Sequence, residues 1–448
     1  MFKKILVANR GEIALRIIRT CKEMRIKTVA IFSEVDRNEL YVKLADEAVC
    51  IGPGESQKSY LNYFSIISVA IYCEVDAIHP GYGFLSENYY FARTCEKVGI
   101  TFIGPLSETI KLMGNKINSR NIVKRYDVRV LDAIENVEYI DSEISKYIKE
   151  SLGFPVIIKA ANGAGGKGIR IVKEQNNLSS SFNNVKDEAG KYFNNSEVYI
   201  EKYLDNVRHI EIQIIGDKFG NVIHLGERNC SVQRRNQKII EEAPSIFLDD
   251  DLREKMSSYA VLIAKSINYI GVGTIEFLLD DNNDFYFLEM NTRIQVEHPI
   301  TEMITGIDLV KEQIKIAYGF ELGHKQEDVS IKGHSIECRI NAEDPENNYA
   351  PSSGCINKII MPSGFGVRID SGAYSNCTIS HYYDSMIAKV ISYGCDRQDA
   401  IEKMRNALNE IHIEGVKTNI DLHLKILNNS KFIDGKYNTK LIAEEILI

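Results

Sequence analysis

Short apolar runs alternate with helical patterns over the first hundred residues. Residues 3–8 (KKILVA) have the length of a strand, and apolar side chains recur at helical spacing through 12–23. Further strand patterns occur in KTVAIF, in AVCI and in DAIH, with a helical pattern through 60–73. Strands that alternate with helices predict a parallel sheet with crossover helices, so the chain opens as a doubly wound α/β lobe. Its first strand-to-helix turn, ANRGE, lacks GxGxxG, so we expect a Rossmann-like lobe without a dinucleotide.

A different pattern begins near residue 115. FPVIIKA and GIRIVKE are strand patterns on either side of a glycine-rich loop, and their short connection favours antiparallel pairing. A helical pattern at 251–268 precedes GTIEFLLDDNNDFYFLEMN, which is typical of a hairpin. Short strands follow after about residue 330, with a closing helix over 397–411. The fold class is therefore α/β, or α+β overall, with boundaries near 115 and 330.

The composition narrows the class of protein. The chain has 448 residues, 44% of them hydrophobic, which is enough for two to four domains with a core in each. A formal net charge of −8 without a long basic run argues against nucleic-acid binding. The nine cysteines lack CxxC spacing and are expected to be reduced core thiols. With no apolar run long enough for a signal peptide or a membrane span, we expect a cytoplasmic protein.

The run NGAGGKG places Gly163, Gly165 and Gly168 at GxGxxG spacing. A dinucleotide fingerprint must open a helix, and a P-loop needs Ser or Thr after its lysine, whereas a strand pattern follows here. A glycine hairpin between two strands can fold its amide groups over phosphates, with Lys159 supplying a point charge. A hairpin tip with a surface lysine is the alternative, and the loop alone does not separate the two.

The predicted hairpin also brings two glutamates together. Counting outward from a two-residue turn at Asn282 and Asn283, residue 281 pairs with residue 284 and Glu276 pairs with Glu289. Like charges directly across a strand pair are destabilising, so we expect a cation between them. With Asn291, these hard oxygen donors suit magnesium, which is commonly bound together with nucleotide phosphates. A solvated hairpin face with a coincidental register is the alternative.

The segment RIQVEHP follows directly. If the chain stays extended, Arg293, Gln295 and Glu297 project to one side at a period of two, and Pro299 biases His298 toward that extended conformation. Arginine binds planar anions through paired hydrogen bonds, and a glutamate beside it can accept a proton. The segment therefore predicts an anion pocket with a general base, and a surface Arg–Glu pair is the alternative.

Together with these residues, the sequence closely resembles the biotin carboxylases, the ATP-grasp components of biotin-dependent carboxylases. The resemblance spans nearly the whole chain and rests on ILVANRGEIALRI, HPGYGFLSEN, PVIIKAANGAGGKG, EKYL, QRRNQK, EMNTRIQVEHP, ECRINAEDP and YYDSMIAK. It implies a preATP-grasp lobe at 1–114, an ATP-grasp domain at 115–330 with a mobile lid over about 131–203, and a carboxyl-terminal biotin carboxylase lobe at 331–448.

The resemblance also implies roles for individual residues. The implied ATP contacts are Lys116, Lys159, Gly165, Gly166, Glu201, Lys202, Tyr203, Leu204, His209, Glu276 and Glu289. The implied ligands of magnesium or manganese, two ions with ATP, are Glu276, Glu289 and Asn291. The implied bicarbonate pocket is Lys238, Arg293, Gln295, Val296 and Arg339, and the implied biotin contacts are Tyr82 and Arg339. The implied catalytic residues are Glu297, Arg293, Arg339 and Lys238.

The implied reaction has two halves. Glu297 deprotonates bicarbonate, which attacks the γ-phosphoryl group of ATP and forms carboxyphosphate. Carboxyphosphate breaks down to carbon dioxide and phosphate, the phosphate removes the ureido proton of biotin, and Arg339 stabilises the resulting oxygen anion. Biotin is expected on a separate carrier protein, because no AMKM-like motif follows the third region.

Carboxyltransferase subunits are the other expected partners, within an acetyl-CoA carboxylase of fatty acid synthesis. A pyruvate or propionyl-CoA carboxylase is the alternative, and a plastid stroma is the alternative location. A homodimer is also expected, since the resemblance places four residues at a dimer interface: Arg19, Glu23, Phe365 and Arg368.

A few positions depart from the family pattern or invite a second reading. Ala164 interrupts the glycine run and cannot adopt positive φ cheaply, and Asn236 stands where many relatives have histidine. His79 and His298 are expected to be structural rather than catalytic.

Two other functions remain open at this point. Another ATP-grasp ligase would share the nucleotide site but has no reason to carry HPGYG or RIQVEHP. A catalytically dead nucleotide-binding regulator would be expected to lack a carboxylate or the base, whereas Glu276, Glu289 and Glu297 are all present.

Overall fold

The computed structural model describes residues 1–163, 168–193 and 195–447, so Ala164, Gly165 and Gly166 lie outside the described residues. The first lobe contains five strands and five helices. The strands are β1 (Lys4–Val7), β2 (Lys27–Ser33), β3 (Glu47–Gly52), β4 (Ala77–His79) and β5 (Thr101–Phe102). The helices are α1 (Gly11–Glu23), α2 (Leu40–Leu44), α3 (Tyr63–Tyr72), α4 (Tyr89–Val98) and α5 (Ser107–Gly114).

The strands of this lobe form one parallel sheet in the order β3-β2-β1-β4-β5, which confirms the predicted doubly wound lobe. Helices cover both faces. The apolar stripe of α1 packs with Ile5 and Val7 on one face, while Leu6 packs with residues of α3 and α4 on the other. This alternation along β1 explains why its sequence is apolar throughout.

A four-stranded antiparallel sheet follows, in the order β6-β9-β7-β8. Its elements, after helix α6 (Lys116–Lys124), are β6 (Ala133–Ile134), α7 (Ser142–Ser151), β7 (Val156–Ala160), β8 (Ile169–Val172), α8 (Leu178–Phe193) and β9 (Val198–Lys202). Strands β7 and β8 flank the glycine-rich loop and pair antiparallel, as predicted. Residues 203–206 then connect this sheet to the rest of the molecule.

The largest sheet has eight antiparallel strands in the order β14-β13-β10-β11-β12-β15-β22-β20. Before residue 330 it contains β10 (Val207–Gly216), β11 (Val222–Arg234), β12 (Gln237–Ala243), β13 (Gly271–Asp280) and β14 (Phe285–Asn291). Helix α9 (Asp250–Ser266) lies between β12 and β13 in the chain, and helices α10 (His298–Thr305) and α11 (Leu309–Tyr318) follow β14.

The remaining residues complete this sheet and add small two-stranded sheets. The strands are β15 (His334–Asn341), β16 (Glu343–Asp344), β17 (Ala350–Pro351), β18 (Gly354–Ile356), β19 (Lys358–Ile360), β20 (Val367–Ser371), β21 (Cys377–Ile379), β22 (Met386–Gly394) and β23 (His412–Glu414). The helices are α12 (Arg397–Glu410), α13 (Ile420–Leu427), α14 (Ser430–Ile433) and a π-helical turn at Ile442–Ile446. Because β12 pairs with β15, the second and third predicted regions share one sheet.

In the hairpin of β13 and β14, Glu276 pairs with Glu289 as predicted, although the length of the turn and the register between them differ from the prediction. The backbone NH of Asp280, not of residue 281, donates to the carbonyl of Asp284, so the turn is one residue longer than predicted. The register then shifts between Glu276 and Phe277, which pairs with Phe287. A bulge in β14 thus restores the register that the turn had displaced.

The nine cysteines are all free, but the expectation of core thiols is wrong for three of them. Cys50, Cys355 and Cys395 are exposed, and the other six are buried. Among the described residues, no helix is both long and apolar enough to cross a membrane.

Candidate active site

Charged side chains form a row across one half of the eight-stranded sheet, and all but Glu289 are buried. Glu289 on β14 lies opposite Glu276 on β13, Glu276 opposite Glu211 on β10, and Glu211 opposite Arg228 on β11. Glu211 and Arg228 are fully buried, and Glu276 is nearly so. Successive carboxylates on neighbouring strands repel one another in a region of low dielectric, so the row requires cations to hold it.

Lys238 on β12 supplies one of these cations. Its Nζ lies 2.6 Å from Glu211 Oε2, 2.9 Å from Glu276 Oε1 and 2.7 Å from Glu297 Oε1. Burial alone would lower the pKa of Lys238, but the three carboxylates raise it well above its usual value. Burial would likewise raise the pKa of Glu276, yet Lys238 and His209 hold it well below its usual range. Lys238 is therefore the shared counterion of carboxylates from two strands, β10 and β13, and from the turn before α10.

Arg228 supplies a second cation to this row of charged side chains. Its Nε donates to Glu211 Oε1 at 2.6 Å, and its Nη2 donates to Gln295 Oε1 at 2.5 Å. The remaining guanidinium protons are directed to Gln213, Thr274 and Thr301. Every one of these partners is buried, so Arg228 ties four elements together beneath the pocket.

Glu297 lies between two cations, next to this row of charged side chains. Its Oε1 accepts from Lys238, and its Oε2 accepts from Arg339 Nη2 at 2.9 Å. Burial would raise the pKa of Glu297, but Lys238, Arg339 and Arg228 hold it far below its usual range. Glu297 is therefore ionised at neutral pH and can accept a proton from a neighbouring group.

The expectation of an extended chain through His298 is wrong. The backbone turns at Val296 and Glu297, and His298 begins helix α10, with Pro299 in the first turn where its missing NH costs nothing. The turn still gathers the predicted side chains. Gln295 Nε2 donates to Glu276 Oε1 at 2.7 Å, next to Lys238 and Glu297.

Arg293 lies at the edge of this cluster. Its Nη2 donates to Asn291 Oδ1 at 2.7 Å, and its Nε donates to Glu87 Oε2 at 2.8 Å. Asn291 Nδ2 in turn donates to Glu276 Oε1 at 2.8 Å. The first lobe thus contributes Glu87, which the sequence analysis did not identify, to the positioning of the predicted anion-binding arginine.

The predicted nucleotide contacts lie toward the small sheet. Lys116 forms an ion pair with Glu289, and Lys159 Nζ donates to Glu201 Oε2 at 2.5 Å. Lys159 is only 7% exposed, so the alternative of a surface lysine is wrong for this residue. His209 Nε2 lies 2.9 Å from Glu276 Oε2. Residues 202–204 end β9 and begin the connection to the large sheet.

The residues predicted to bind magnesium fit that ion by their donors. Glu276 and Glu289 are opposite each other, and Asn291 lies two residues beyond Glu289 on the same strand. Two carboxylates and an amide oxygen are ligands that Mg²⁺ accepts alongside phosphate oxygens. Each carboxylate already has a cationic side chain at contact distance, Lys116 or Lys238, so the region is built to hold positive charge.

Two further buried carboxylates, those of Glu241 and Glu337, lie near Arg339. Glu241 on β12 lies opposite Glu337 on β15, and both are fully buried. Arg339 Nη2 lies 2.5 Å from Glu241 Oε1 as well as near Glu297. Burial raises the pKa of Glu241 to about 7, with Arg339 opposing and Glu297 adding to the shift, and burial also raises the pKa of Glu337 well above its usual value. Arg339 therefore has two competing carboxylate partners.

The predicted biotin contact Tyr82 lies near this end of the pocket. Its hydroxyl donates to Glu12 Oε1, and Arg339 is close enough to oppose the rise in the pKa of Tyr82 that burial causes. The neighbouring His79 is buried, and its Nδ1 accepts from the NH of Gly81 at 3.1 Å, so it shapes the turn as expected. The region thus contains Tyr82 and Arg339 together.

The sequence analysis missed Glu211, Arg228, Glu241 and Glu337 as well as Glu87. One signal was available for the first of these. In HIEIQIIGD, three polar residues alternate with apolar ones at a period of two, and His209, Glu211 and Gln213 are all buried. A strand whose polar face is buried rather than exposed to solvent indicates a functional site on the face of a sheet.

Family models and known proteins resemble the chain throughout. The matching models are the biotin carboxylase N-terminal domain over 1–110, the ATP-binding domain of the carbamoyl-phosphate synthase L chain over 115–325, and the biotin carboxylase C-terminal domain over 337–444. Biotin carboxylase 1 of Bacillus subtilis is 52% identical over 444 residues, which cover 99% of this chain and 98% of that protein. The 2-oxoglutarate carboxylase small subunit of Hydrogenobacter thermophilus is 49% identical, with 99% and 94% covered.

Solved structures agree with these matches. A crystal structure of the biotin carboxylase domain dimer of H. thermophilus 2-oxoglutarate carboxylase, in complex with MgADP, ADP and bicarbonate, has a TM-score of 0.96 and 49% identity, covering 99% of this chain and 98% of that one. Biotin carboxylase from Campylobacter jejuni in a β,γ-ATP complex has a TM-score of 0.96 and 47% identity, with 99% of both chains covered.

The buried position of Arg228 predicts a large effect on stability. Arg228→Met removes the cation beneath Glu211 and should cost about 3 to 5 kcal/mol in the free energy of unfolding. The double variant E211Q/R228M should recover part of this loss, because it removes a buried carboxylate that has lost one of its two cationic partners. Arg129→Met, at an exposed ion pair with Asp284, should cost about 1 kcal/mol or less. Urea unfolding of the four proteins tests this, and equal losses in Arg228→Met and Arg129→Met would contradict it.

The raised pKa of Glu241 predicts a pH-dependent stability. Between its usual pKa of 4.5 and about 7, the folded chain keeps a proton on Glu241 that the unfolded chain has released, so the group's contribution to stability falls as pH rises. Glu241→Gln removes this titration. Its melting temperature relative to wild type should therefore increase between about pH 5 and pH 8. A difference that stays constant over this range would refute the expectation.

Proposed function

The chain belongs to the biotin carboxylase family, and on that premise we propose that its pocket uses ATP and bicarbonate to carboxylate biotin on a carrier protein through carboxyphosphate. The observation that carries the proposal is the position of Glu297. An ionised carboxylate lies between two cations, Lys238 at 2.7 Å and Arg339 at 2.9 Å.

Bicarbonate would share the cations that hold Glu297. An anion on Lys238 and Arg339 reduces the positive potential at Glu297, so the pKa of this carboxyl rises when the substrate binds. Glu297 thereby becomes a stronger base at the moment when it must take the proton of bicarbonate. Gln295 and the backbone at Val296 lie beside the same space, and Arg293 would bind the anion from the edge of the pocket.

ATP would lie between the small sheet and the carboxylate row. Lys116, Lys159, His209 and Glu201 line this space, residues 202–204 border it, and the proposed contacts Gly165 and Gly166 belong to the glycine-rich loop. Glu276, Glu289 and Asn291 would hold magnesium or manganese, two ions with ATP, which neutralises charge on the transferring phosphoryl group. Movement of residues 131–203 as a lid would exclude water from carboxyphosphate.

The second half-reaction would take place at Arg339. Biotin's ureido oxygen becomes negative when phosphate removes the neighbouring proton, and a fixed guanidinium stabilises that charge. Arg339 also contacts Glu241, so the guanidinium keeps a partner when Glu297 changes its protonation state. Tyr82, whose hydroxyl is held by Glu12, would pack against the bicyclic ring.

We further propose a cytoplasmic homodimer that supplies carboxybiotin to the carboxyltransferase subunits of an acetyl-CoA carboxylase. Phe365 is 93% exposed, and Arg19 and Glu23 are exposed on α1, which favours an interface at the four residues named from the resemblance. The fourth, Arg368, is instead engaged with Glu302 and Asp370.

Glu297→Gln tests the proposed base. Wild type should cleave ATP in a bicarbonate-dependent manner, with a higher rate when free biotin is present, and the variant should lose about 10²- to 10⁴-fold of this rate. Nucleotide affinity should be retained, since Glu297 is not among the proposed ATP contacts. ATP cleavage that ignores both bicarbonate and biotin in the wild type would refute the function itself.

Reconstitution tests the acceptor. With biotinylated carrier protein and carboxyltransferase subunits of acetyl-CoA carboxylase, the wild-type enzyme should convert acetyl-CoA to malonyl-CoA. Parallel mixtures with the corresponding components for pyruvate and propionyl-CoA should give much slower product formation. Faster turnover in either parallel mixture would assign the chain to that carboxylase.

A further inference from the structure

Two side chains hold consecutive carbonyl groups of the turn before α10. Lys389 Nζ donates to the carbonyl of Val296 at 2.9 Å, and His298 Nδ1 lies 2.8 Å from the carbonyl of Gln295. Burial, together with the charges of Lys389 and Arg16, holds the pKa of His298 well below its usual value, so the ring is neutral. Because its partner is a carbonyl oxygen, Nδ1 must carry the ring proton.

The orientation of these carbonyls sets the orientation of two NH groups. In a trans peptide the carbonyl and the NH point in opposite directions, and the peptides on either side of Val296 are trans. The NH of Glu297 therefore points away from Lys389, and the NH of Val296 points away from His298. Neither donates a hydrogen bond within the part of the chain that the structure describes. Consecutive NH groups that face one way form a concavity for an anion.

Lys389 is itself held firmly. It is fully buried on β22, and its Nζ lies 3.2 Å from Glu12 Oε2 and 3.8 Å from Asp370 Oδ2. Its position on the strand is directly opposite Arg339 on β15. The second oxygen of Glu12 accepts from Tyr82, so one carboxylate connects the lysine to the predicted biotin contact.

We infer that Lys389 is a positioning residue for the bicarbonate site, because its ammonium fixes the Val296 carbonyl and thereby aims the NH of Glu297 at the bound anion, beside the NH of Val296 that His298 orients through the Gln295 carbonyl. The inference rests on the proposed function, and it assigns Lys389 a role in binding bicarbonate rather than in binding ATP. If Lys389 contributed only to stability, its replacement would not selectively change the affinity for bicarbonate or the affinity for ATP.

Steady-state kinetics of bicarbonate-dependent ATP cleavage test this role. In Lys389→Met, the KM for bicarbonate should rise about tenfold, the size expected when one hydrogen bond that orders an anion site is lost, while the KM for ATP stays unchanged. The double variant E12Q/K389M removes the carboxylate charge that the single variant leaves unpaired. It should fold with a melting temperature nearer to wild type and show the same rise.

Lys403→Met is the matched control. Lys403 also donates to a carbonyl of β22, that of Tyr393 at 3.1 Å, and to one carboxylate, Asp399, but it lies on α12 and its partners are outside the pocket. It should leave both KM values unchanged. A bicarbonate KM like that of wild type in either Lys389 variant, a parallel rise in both KM values, or loss of folding in both variants would overturn the inference. A wild type without bicarbonate-dependent cleavage would instead refute the proposed function.

Discussion

The rest of the site depends on one constraint, the free-energy cost of burying several carboxylates on one face of a sheet. Glu211, Glu276 and Glu297 lie within contact of a single ammonium, that of Lys238, and only such sharing makes their burial tolerable. Arg228 and Arg339 neutralise the same group from two other directions. Each charge comes from a different strand or turn, so the site exists only when the whole sheet is formed.

This arrangement leaves the pocket ready for anions, although the chain as a whole is acidic. The cations are already desolvated and oriented by carboxylates, so an incoming anion replaces existing partners rather than ordered water. The exchange also changes the base. In the proposed reaction, bicarbonate would weaken the cationic field at Glu297 and so couple substrate binding to an increase in the basicity of Glu297. Net charge therefore describes the surface and gives no measure of the potential inside the site.

Much of the fold could be predicted from periodicity, because strands and helices of the first lobe keep one face against a core. The site was less predictable. The Glu276–Glu289 pairing was correct although the turn was one residue longer than assumed, because a bulge before Glu289 offsets it. The extended chain at His298 was wrong, since Pro299 starts a helix as readily as it favours an extended neighbour. Glu87 and Arg228 were missed because only tertiary contacts distinguish a buried charged residue from a solvated one.

The pairing of β12 with β15 determines which parts of the molecule can move independently. Lys238 lies on the first of these strands and Arg339 on the second, so the proposed bicarbonate and biotin ends of the pocket belong to one hydrogen-bonded sheet. Relative motion between them would break ladder hydrogen bonds along its length. The small sheet around Lys159, in contrast, joins the large sheet in sequence through residues 203–206 and β10. Movement of residues 131–203 as the proposed lid would therefore leave the strand pairing that joins Lys238 and Arg339 outside the moving segment.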